Sequence, residues 1–490
     1  MKLGRLWIKN YKNLRNCEIT FASPQFLNAV IGSNGSGKSN LIEAILHILI
    51  GVYFKTAPPF DFSLQFEAQA RTVLLEGEQG RLLIHVDGEL KPPGFFAERL
   101  RDDAAQVYFP ELTFVYYSGE CRRVRRLMKR YQLHFERLTG KPETDKHRPL
   151  FVESSNQRSE VILLALFAHG QRRFLDRLGL REAFDVSLVL RSPKGFNPDL
   201  HEPKLWNTEG AVRRIVATID ETALSEESHR QSKDRVEQVG EEDDYSEVRT
   251  YRFSDDAEDS RTIGGLATRL AKSGDNLFLA LEQLRARGIF DSVSFGLKGR
   301  TDDVFTFDQL SEGEKQLLAV VGALHLINRQ DNLVLLDEPD THLNPQWAWD
   351  YSSMLTEAFN REQQLRSTVV MATHDPVMIS GLTKDQVLLA HLPTDDALSF
   401  THPVRHPRGQ GIANLLCSSE FFGLPSSLDK ETQKLLDARL AISMKETLTK
   451  TDRARLKQLN QELEIVKPGV SERDPHYAEF LRQRRTARQG

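Results

Sequence analysis

Eight residues near the start of the chain have the types and spacing of a loop that binds phosphate groups. Their order, G-S-N-G-S-G-K-S, matches the pattern G-x-x-x-x-G-K-[ST] at each fixed position. An apolar run at 26–31 precedes the loop and an apolar periodicity over 41–49 follows it, which predicts a strand, the loop and a helix in that order. Backbone N–H groups at the start of such a helix face phosphate oxygens. The predicted nucleotide-binding residues are Gly32, Ser33, Asn34, Gly35, Ser36, Gly37, Lys38, Ser39 and Asn40.

Four side chains are predicted to carry the chemistry of this site. Lys38 is expected to reach the β- and γ-phosphates, and the Ser39 hydroxyl is expected to hold Mg²⁺. A second apolar run at 333–338 ends in Asp337 and Glu338, as a buried parallel strand does where it enters a site. Asp337 is the second predicted Mg²⁺ ligand, and Glu338 is the candidate base that polarises the attacking water. The sequence therefore predicts ATP and Mg²⁺ as ligands.

Three further motifs follow a fixed order along the chain. L-S-E-G-E at 310–314 opens an apolar helical stretch, D-T-H-L stands at 340–343, and a strand-like run at 369–373 leads into His374. Together with the phosphate loop, they resemble the motifs of ABC-type ATPases, over about residues 1–395. The resemblance implies that 310–314 is the signature motif, 340–343 the D-loop and His374 the switch histidine.

The same resemblance implies an active site shared between two copies of the chain. In that family two ATPase heads enclose two nucleotides, so a head-to-head dimer or a higher even oligomer is expected. The phosphate loop of one protomer then faces Ser311 and Gly313 of the other, and both become predicted nucleotide contacts. The predicted catalytic residues are Lys38, Glu338 and His374.

Other motifs narrow the resemblance to one branch of that family. The L-S-E-G-E signature, N-Y-K-N-L at 10–14 and N-L-I-E at 40–43 are similar to the SMC/RecF/OLD branch, whereas transport ATPases usually read L-S-G-G-Q. The family also places a lid glutamine just after a strand of the first lobe. Here the matching strand at 112–117 runs into S-G-E, so the lid residue and metal coordination on that side stay unassigned.

The predicted fold class is α/β, an ATPase head with a two-lobed mixed β-sheet, helical insertions and a C-terminal helical tail. Prolines and glycines interrupt the stretch between the phosphate loop and the signature, which excludes long coiled-coil arms. Shorter patterns predict hairpins at 1–22 and 72–85, two helices within 154–185, and further helices at 206–219, from Lys430, and over 451–465. The predicted domains are an ATPase head at 1–395 (first lobe about 1–190 with a basic helical insert at 120–150, a flexible acidic segment at 222–262, second lobe about 265–395) and a C-terminal helical segment with a basic tail at 396–490.

The composition limits the cellular compartment and the kinds of partner that we expect for this chain. The chain has 490 residues, a net charge of -4 and a pI near 6.4, so a nucleic-acid contact would need a local basic patch. Three distant cysteines suit a reducing compartment. We expect a cytoplasmic protein without a signal peptide or membrane segment, because no apolar stretch is long enough.

The insert at 120–150 contains a cluster of basic residues of the kind that a nucleic-acid contact would need. Six of them crowd one short helix, which is either a solvated face or a surface for nucleic acid or an acidic partner. These residues are Arg122, Arg123, Arg125, Arg126, Lys129 and Arg130.

No nuclease is predicted within this chain. OLD-type relatives carry a C-terminal TOPRIM nuclease, but neither its length nor its strand alternation occurs after residue 395. His402 and His406 also have no partner set for an HNH-type site. We therefore predict that the chain does not cut nucleic acid alone.

A narrower resemblance rests on the C-terminal region and on overall size. R-G-Q-G-I-A-N at 408–414, F-F-G-L at 421–424 and D-P-H-Y-A-E-F at 474–480 resemble the ATPase subunit of Septu-type anti-phage systems, including their retron-associated form. This implies an HNH-type nuclease subunit as partner and, in the retron form, a reverse transcriptase with its RNA and DNA. The alternative is a RecF/SMC-like repair ATPase that binds DNA directly.

Overall fold

A computed structural model describes most of the chain, namely residues 1–21, 25–92, 94–96, 108–118, 122–139, 150–193, 205–232, 245–327, 329–392, 397–445 and 447–466. Four sequence features lie partly or wholly outside these residues. They are the S-G-E segment after the strand at 112–117, the second part of the basic insert, the centre of the acidic segment, and the basic tail with the motif at 474–480.

Two compact units make up the chain, Met1–Gly409 and Gln410–Gly490. The sequence pattern suggests a boundary at 395/396, fourteen residues earlier than this division. The difference arises because Phe400 and Thr401 form a strand that pairs with the sheet of the first unit, at Ala390 and Leu389.

The described residues of the first unit form three sheets. The strands are β1 (Lys2–Tyr11), β2 (Leu14–Thr20), β3 (Leu27–Ile31), β4 (Phe62–Ala68), β5 (Arg71–Glu78), β6 (Arg81–Val86), β7 (Glu89–Lys91), β8 (Leu112–Tyr117), β9 (Phe151–Ser154), β10 (Leu180–Arg191), β11 (Ser225–Ser232), β12 (Tyr245–Arg252), β13 (Phe290–Gly299), β14 (Val304–Thr306), β15 (Asn332–Asp337), β16 (Thr368–Ala372), β17 (Val387–Ala390) and β18 (Phe400–Thr401). Their orders are β2-β1-β4-β5-β6-β7, β11-β12-β10-β13-β14 and β18-β17-β3-β16-β15-β8-β9.

Helices cover the sheets and form most of the second unit. They are α1 (Lys38–Tyr53), α2 (Arg122–Thr139), α3 (Ser159–Ala168), α4 (Arg172–Arg177), α5 (Gly210–Thr222), α6 (Ile263–Lys272), α7 (Leu277–Ala286), α8 (Glu312–Leu317), α9 (Ala323–Ile327), α10 (Pro345–Glu357), α11 (Arg361–Arg366), α12 (Pro376–Ile379), α13 (Ile412–Cys417), α14 (Lys430–Ser443) and α15 (Lys450–Val466). A π-helical turn, Leu318–Gly322, joins α8 to α9, and 3₁₀ turns lie at Asn156–Arg158, Phe307–Gln309 and Lys384–Gln386.

The seven-stranded sheet positions the functional residues. Strands β3, β16, β15 and β8 run parallel to one another, so their carboxyl ends meet at one edge. In this register Asp337 pairs with Ala372 on one side and with Tyr117 on the other. The β15 and β16 side chains are buried along their whole length, as expected for parallel strands covered on both faces.

Helix α1 follows the phosphate loop directly and is apolar on almost every side. Its buried residues belong to one hydrophobic core with side chains of the six-stranded and seven-stranded sheets. A helix that is buried all around holds its first turn rigidly, which fixes the residues that begin it. The core residues contributed by α1 are Leu41, Ile42, Ala44, Ile45, Leu46, Ile48, Leu49, Ile50 and Val52.

The structure confirms the α/β fold class and most of the predicted elements. The hairpins form as β1–β2 and β5–β6, and the two helices predicted within 154–185 are α3 and α4. The helix predicted from 206 begins instead at Gly210, because Trp206 and Asn207 have φ values of 50° and 52°, which a right-handed helix does not allow.

The described parts of 222–262 form two strands, where the sequence predicts a flexible acidic segment. They are β11 and β12, which pair antiparallel from Ser225↔Arg252 to Ser232↔Tyr245. Arg249 on β12 offsets part of the acidic charge, since it lies 3.3 Å from Glu226 on β11 and 2.8 Å from Glu247 on its own strand.

In the second unit, α14 begins at Lys430, where the sequence predicts a helix. The Asp429 carboxylate accepts hydrogen bonds from the backbone N–H groups of Glu431 and Thr432, at 3.0 and 2.9 Å. Helices α14 and α15 pack against each other. Their leucine stripe is consequently buried within the chain, at Leu436, Leu440, Leu459 and Leu463.

Candidate functional site

The phosphate-binding pattern lies in the turn that leads from β3 into α1. Gly37 is the N-cap of α1 with φ at 89°, and its carbonyl accepts from Leu41 N over 2.9 Å. A Cβ atom at Gly37 would lie 2.9 Å from a Leu398 methyl group and 3.0 Å from a Leu14 methyl group. Both the backbone conformation and the lack of space therefore require glycine here.

Lys38 lies at the first turn of α1 with its ammonium group on the inner side of the loop. Its Nζ donates to the Gly32 carbonyl over 2.7 Å and to the Ser33 carbonyl over 3.2 Å. Burial lowers the pKa of Lys38, while Glu338 and Asp337 act in the opposite direction. A buried cation held among loop carbonyls can bind anionic oxygens without first losing a full hydration shell.

Ser39 and Asp337 provide an oxygen pair at the carboxyl end of β15. Ser39 Oγ donates to Asp337 Oδ1 over 3.0 Å, and the Tyr117 hydroxyl donates to the Ser39 carbonyl over 3.0 Å. Burial raises the pKa of Asp337 to about 6, although the Ser39 hydrogen bond lowers it. A hydroxyl and a buried carboxylate are the oxygen donors that Mg²⁺ prefers, so this pair fits the predicted metal.

Glu338 follows Asp337 in an unusual backbone conformation. Its φ is 48°, in the left-handed region that residues with a side chain rarely adopt, and its N–H donates to the Ala372 carbonyl over 2.9 Å. Strain of this kind concentrates at functional sites. His374 Nδ1 lies 3.4 Å from Glu338 Oε1, and both side chains are accessible. Glu338 can therefore meet a water molecule and the imidazole at the same time.

The turn after Glu338 ties two neighbouring strands to the site. Thr341 Oγ1 donates to the Glu338 carbonyl over 2.9 Å and lies 2.6 Å from the Ser118 hydroxyl, just after β8. The buried Asp340 carboxylate accepts from Thr373 Oγ1 over 3.0 Å. Burial also raises the pKa of Asp340 to about 6.

Ser118 stands directly after β8, at the position where the resemblance predicts a lid glutamine. Ser118 N donates to the Asp337 carbonyl over 3.1 Å, and its hydroxyl contacts Thr341. Gln157 lies elsewhere, in the 3₁₀ turn at Asn156–Arg158, and Gln106 lies outside the described residues.

The turn between β1 and β2 holds the phosphate loop from the other side. Asn13 Nδ2 donates to the Gly35 carbonyl over 2.7 Å, and Asn40 Nδ2 donates to Asn13 Oδ1 over 2.7 Å. Asn40 is predicted to contact nucleotide, and in the structure its amide supports the loop through Asn13. The signal for Asn13 was the N-Y-K-N-L motif, which sequence reasoning used only for classification.

A buried carboxylate on α1 was missed by sequence reasoning. Glu43 is 4% exposed, accepts from the Tyr11 hydroxyl over 2.8 Å, and forms an ion pair with Lys12. Arg123, at the start of the basic helix α2, lies 3.7 Å from the same carboxylate. Glu43 therefore connects the basic helix to the helix that follows the phosphate loop.

Ser311 and Gly313 lie on a different element, the start of α8. Ser311 forms a capping box, in which its Oγ accepts from the Glu314 backbone N–H over 3.3 Å and its own backbone N–H donates to Glu314 Oε2 over 2.7 Å. The Ser311 hydroxyl also donates to Glu314 Oε2 over 2.7 Å. A Cβ atom at Gly313 would lie 2.6 Å from the His342 carbonyl. Glycine thus lets α8 approach the turn at 340–343.

The structure therefore brings most of the predicted site residues together. Lys38, Ser39, Asp337, Glu338 and His374 meet at the carboxyl edge of the seven-stranded sheet. Across the described part of the chain, no cluster of three or more His, Cys, Asp or Glu residues could hold another metal ion. No helix in the described ranges is long and apolar enough to cross a membrane.

Comparisons with known proteins match parts of this chain to ATPase families and to two groups of curated proteins. Residues 1–79 match the family model "AAA ATPase domain", and residues 141–380 match "AAA domain, putative AbiEii toxin, Type IV TA system". The chain is 25% identical over 242 residues to "Septu protein PtuA" of Bacillus mycoides (strain KBAB4). It is 35% identical over 102 residues to "DNA replication and repair protein RecF" of Magnetococcus marinus (strain ATCC BAA-1437 / JCM 17883 / MC-1).

These alignments are partial on both sides. The first covers 48% of this chain and 32% of the Septu protein, and the second covers 18% of this chain and 26% of RecF. Among solved structures, an Smc head bound to the C-terminal winged-helix domain of ScpA is 13% identical, with a TM-score of 0.36, over 82% of this chain and 97% of that one.

Proposed function

We propose that this chain, an SMC/RecF-like ABC ATPase that resembles Septu protein PtuA, binds ATP with Mg²⁺, hydrolyses it in a dimer and thereby controls a separate nuclease. The observation that carries the ATPase part is the convergence of Lys38, Ser39, Asp337 and Glu338 at one sheet edge. Family membership in the AAA/ABC class supports ATP hydrolysis independently of that geometry.

Each residue of this set has a defined task in the proposal. Lys38 neutralises phosphate charge from the inner side of the loop, and the Ser39–Asp337 pair holds Mg²⁺, which stabilises negative charge on the phosphates when bound. Glu338 accepts a proton from, or polarises, the attacking water. His374, 3.4 Å away, orients the Glu338 carboxylate.

The proposed dimer places α8 of one copy against the phosphate loop of the other. Ser311 is exposed at the start of α8, where its hydroxyl can reach an outside partner. In the structure the Ser311 hydroxyl donates to the Glu314 carboxylate. A γ-phosphate must therefore compete with this carboxylate for the hydroxyl hydrogen bond. We expect Glu314→Gln to favour dimer formation with ATP, because the change removes a negative charge near the phosphate.

The proposed effector is an HNH-type nuclease encoded separately, as in Septu-type systems. Similarity to the Septu protein supports this part. The buried leucines of α14 and α15 cannot themselves form the docking surface, because they pack within the chain. The remaining exposed faces of the unit Gln410–Gly490 are the proposed dock.

Co-expression with the nuclease from a neighbouring gene tests the effector part. Affinity purification of the full chain should recover the nuclease, whereas a chain without residues 430–490 should lose it and keep ATP hydrolysis. The purified chain alone should leave DNA and RNA intact with Mg²⁺ or Mn²⁺, in the presence and absence of ATP. Metal-dependent cleavage by this chain alone would refute the division of labour.

A second candidate function is direct DNA binding by a RecF-like repair ATPase. It is favoured by α2, on which Arg123, Arg125, Arg126, Lys129 and Arg130 are exposed, and by the similarity of short segments to RecF. Phosphate neutralisation by such a helix predicts DNA-stimulated hydrolysis with a steep salt dependence. DNA stimulation that disappears in Arg126→Ala/Lys129→Ala would support this candidate, and recovery of a nuclease would favour the first.

A further inference from the structure

A cavity lies between α2, β9 and α7, and none of its lining residues belongs to the phosphate loop. Its volume is about 170 Å³. Aromatic side chains form one wall, with Tyr131 and Phe151 ring centroids 4.8 Å apart and Tyr131 and Phe135 centroids 6.0 Å apart. A protein cavity of about 150 Å³ accommodates a benzene ring, so this one has room for one flat ring system.

The opposite wall carries buried polar atoms that lack hydrogen bonds. Gln283 is 6% exposed, and its Oε1 has no hydrogen-bond partner among the described residues. On the same helix, Glu282 Oε1 and Arg285 Nε lie 3.1 Å apart but off hydrogen-bond geometry. A buried acceptor without a donor is costly and is normally satisfied in native proteins, so this wall points to a ligand that supplies N–H groups.

Charge at the cavity is close to balanced. Two carboxylates, Glu153 and Glu282, and two guanidinium groups, Arg158 and Arg285, line the cavity. Glu282 lies 3.1 Å from each of the two arginines. A phosphate or a free carboxylate would therefore find no net positive charge in this wall. A neutral planar molecule with N–H donors along one edge fits both walls.

We propose that this cavity binds a single nucleobase. The base would stack against the aromatic wall, as bases do on aromatic side chains, and donate its edge N–H groups to Gln283 and Glu282. Guanine offers two adjacent donors on one edge and is the base we expect to bind best. Either a free nucleoside or an unpaired base of a single-stranded nucleic acid supplies this chemistry.

Helix α2 carries basic side chains that suit the second source, a single-stranded nucleic acid. Arg125, Lys129 and Gln132 stand at positions i, i+4 and i+7 of α2 and so share one stripe of the helix. Gln132 lines the cavity, and the exposed Lys129 and Arg125 lie about one and two helical turns before it. Cations along this stripe would contact the phosphates next to an inserted base. Arg126 does not line the cavity and serves as the control for guanosine binding.

Calorimetric titration of the full chain with guanosine tests the site, in saturating ADP and Mg²⁺ so that the nucleotide site is already filled. We expect saturable binding that Gln283→Leu weakens by about fivefold or more, the size of one lost hydrogen bond. Leucine has a similar size and removes the unsatisfied acceptor, so the melting temperature should stay equal or rise. Phe135→Ala should also weaken binding, and Arg126→Ala should not.

A parallel titration with a short single-stranded DNA separates the two sources. If the natural source is a nucleic acid, Gln283→Leu and Lys129→Ala should each weaken DNA binding, the latter with a reduced salt dependence. If it is a free nucleoside, only guanosine binding should respond to Gln283→Leu. No guanosine binding, together with DNA binding that Gln283→Leu leaves unchanged, would overturn the proposal without affecting the ATPase assignment.

Discussion

Ser39 Oγ donates a hydrogen bond to Asp337 Oδ1 over 3.0 Å, although the two residues stand 298 positions apart in the chain. Ser39 begins α1 after β3, and Asp337 ends β15, with β16 between the two strands. The parallel order β3-β16-β15 therefore places the two predicted Mg²⁺ ligands side by side. Their contact turns two separate sequence motifs into one candidate metal site.

Ser39→Ala should weaken Mg²⁺-dependent nucleotide binding by about tenfold, which corresponds to about 1.4 kcal/mol. The change removes one oxygen ligand and leaves Asp337 without its 3.0 Å donor. Titration of ATP with and without Mg²⁺ measures the effect. Ser380→Ala is the matched control, because Ser380 Oγ donates only to the nearby Val377 carbonyl over 2.8 Å. Equal metal dependence in wild type and Ser39→Ala would remove Ser39 from the site.

Glu338→Gln should keep ATP binding and slow hydrolysis by about two orders of magnitude or more, as loss of a positioned base does. Glutamine preserves the shape but cannot take a proton. Single-turnover phosphate release measures the chemical step, and size-exclusion chromatography should detect ATP-bound dimers that accumulate. Glu362→Gln, an exposed carboxylate on α11, is the control. Near-normal turnover in Glu338→Gln would exclude its role as base.

Mixing Ser311→Arg with Lys38→Ala protein should restore hydrolysis that neither variant has alone. Each mixed dimer would contain one intact composite site, since Lys38 and Ser311 are proposed to act across the interface. ATP hydrolysis as a function of the mixing ratio measures the restoration. Lys38→Ala alone should also lose nucleotide affinity. Activity that stays absent in dimers of folded variants would indicate self-contained sites.

Thr341→Val should lower the rate of hydrolysis by about tenfold with little change in KM, a loss of about 1.4 kcal/mol at the transition state. The hydroxyl connects the Glu338 carbonyl to Ser118, so its removal should loosen Glu338 while leaving the phosphate loop intact. Thr356→Val is the control, since Thr356 Oγ1 bonds only to Ser352 within α10 over 2.7 Å. A change in KM alone would assign Thr341 to binding instead.

The local sequence determined those loops, helices and strands whose defining residues all lie within one short segment. The phosphate loop, α1 and β15 could be predicted because loop glycines, helical periodicity and a continuous apolar run each lie within one segment. The same holds for the helix predicted from Lys430, whose first turn is capped by Asp429 through partners only two and three residues away.

Tertiary structure decided which distant segments meet. The strand order of the seven-stranded sheet brings Ser39 to Asp337 and Ser118 to Thr341, and no local pattern contains that order. Strands β11 and β12 lie in a segment whose acidic composition is typical of a loop, yet antiparallel backbone pairing and the cross-strand Arg249–Glu226 ion pair hold them in a sheet. Glu43 looked like an ordinary polar residue of a helix, and only packing made it a buried partner of Lys12. Contacts between distant residues depend on how elements pack, whereas periodicity and turn residues report only their own segment.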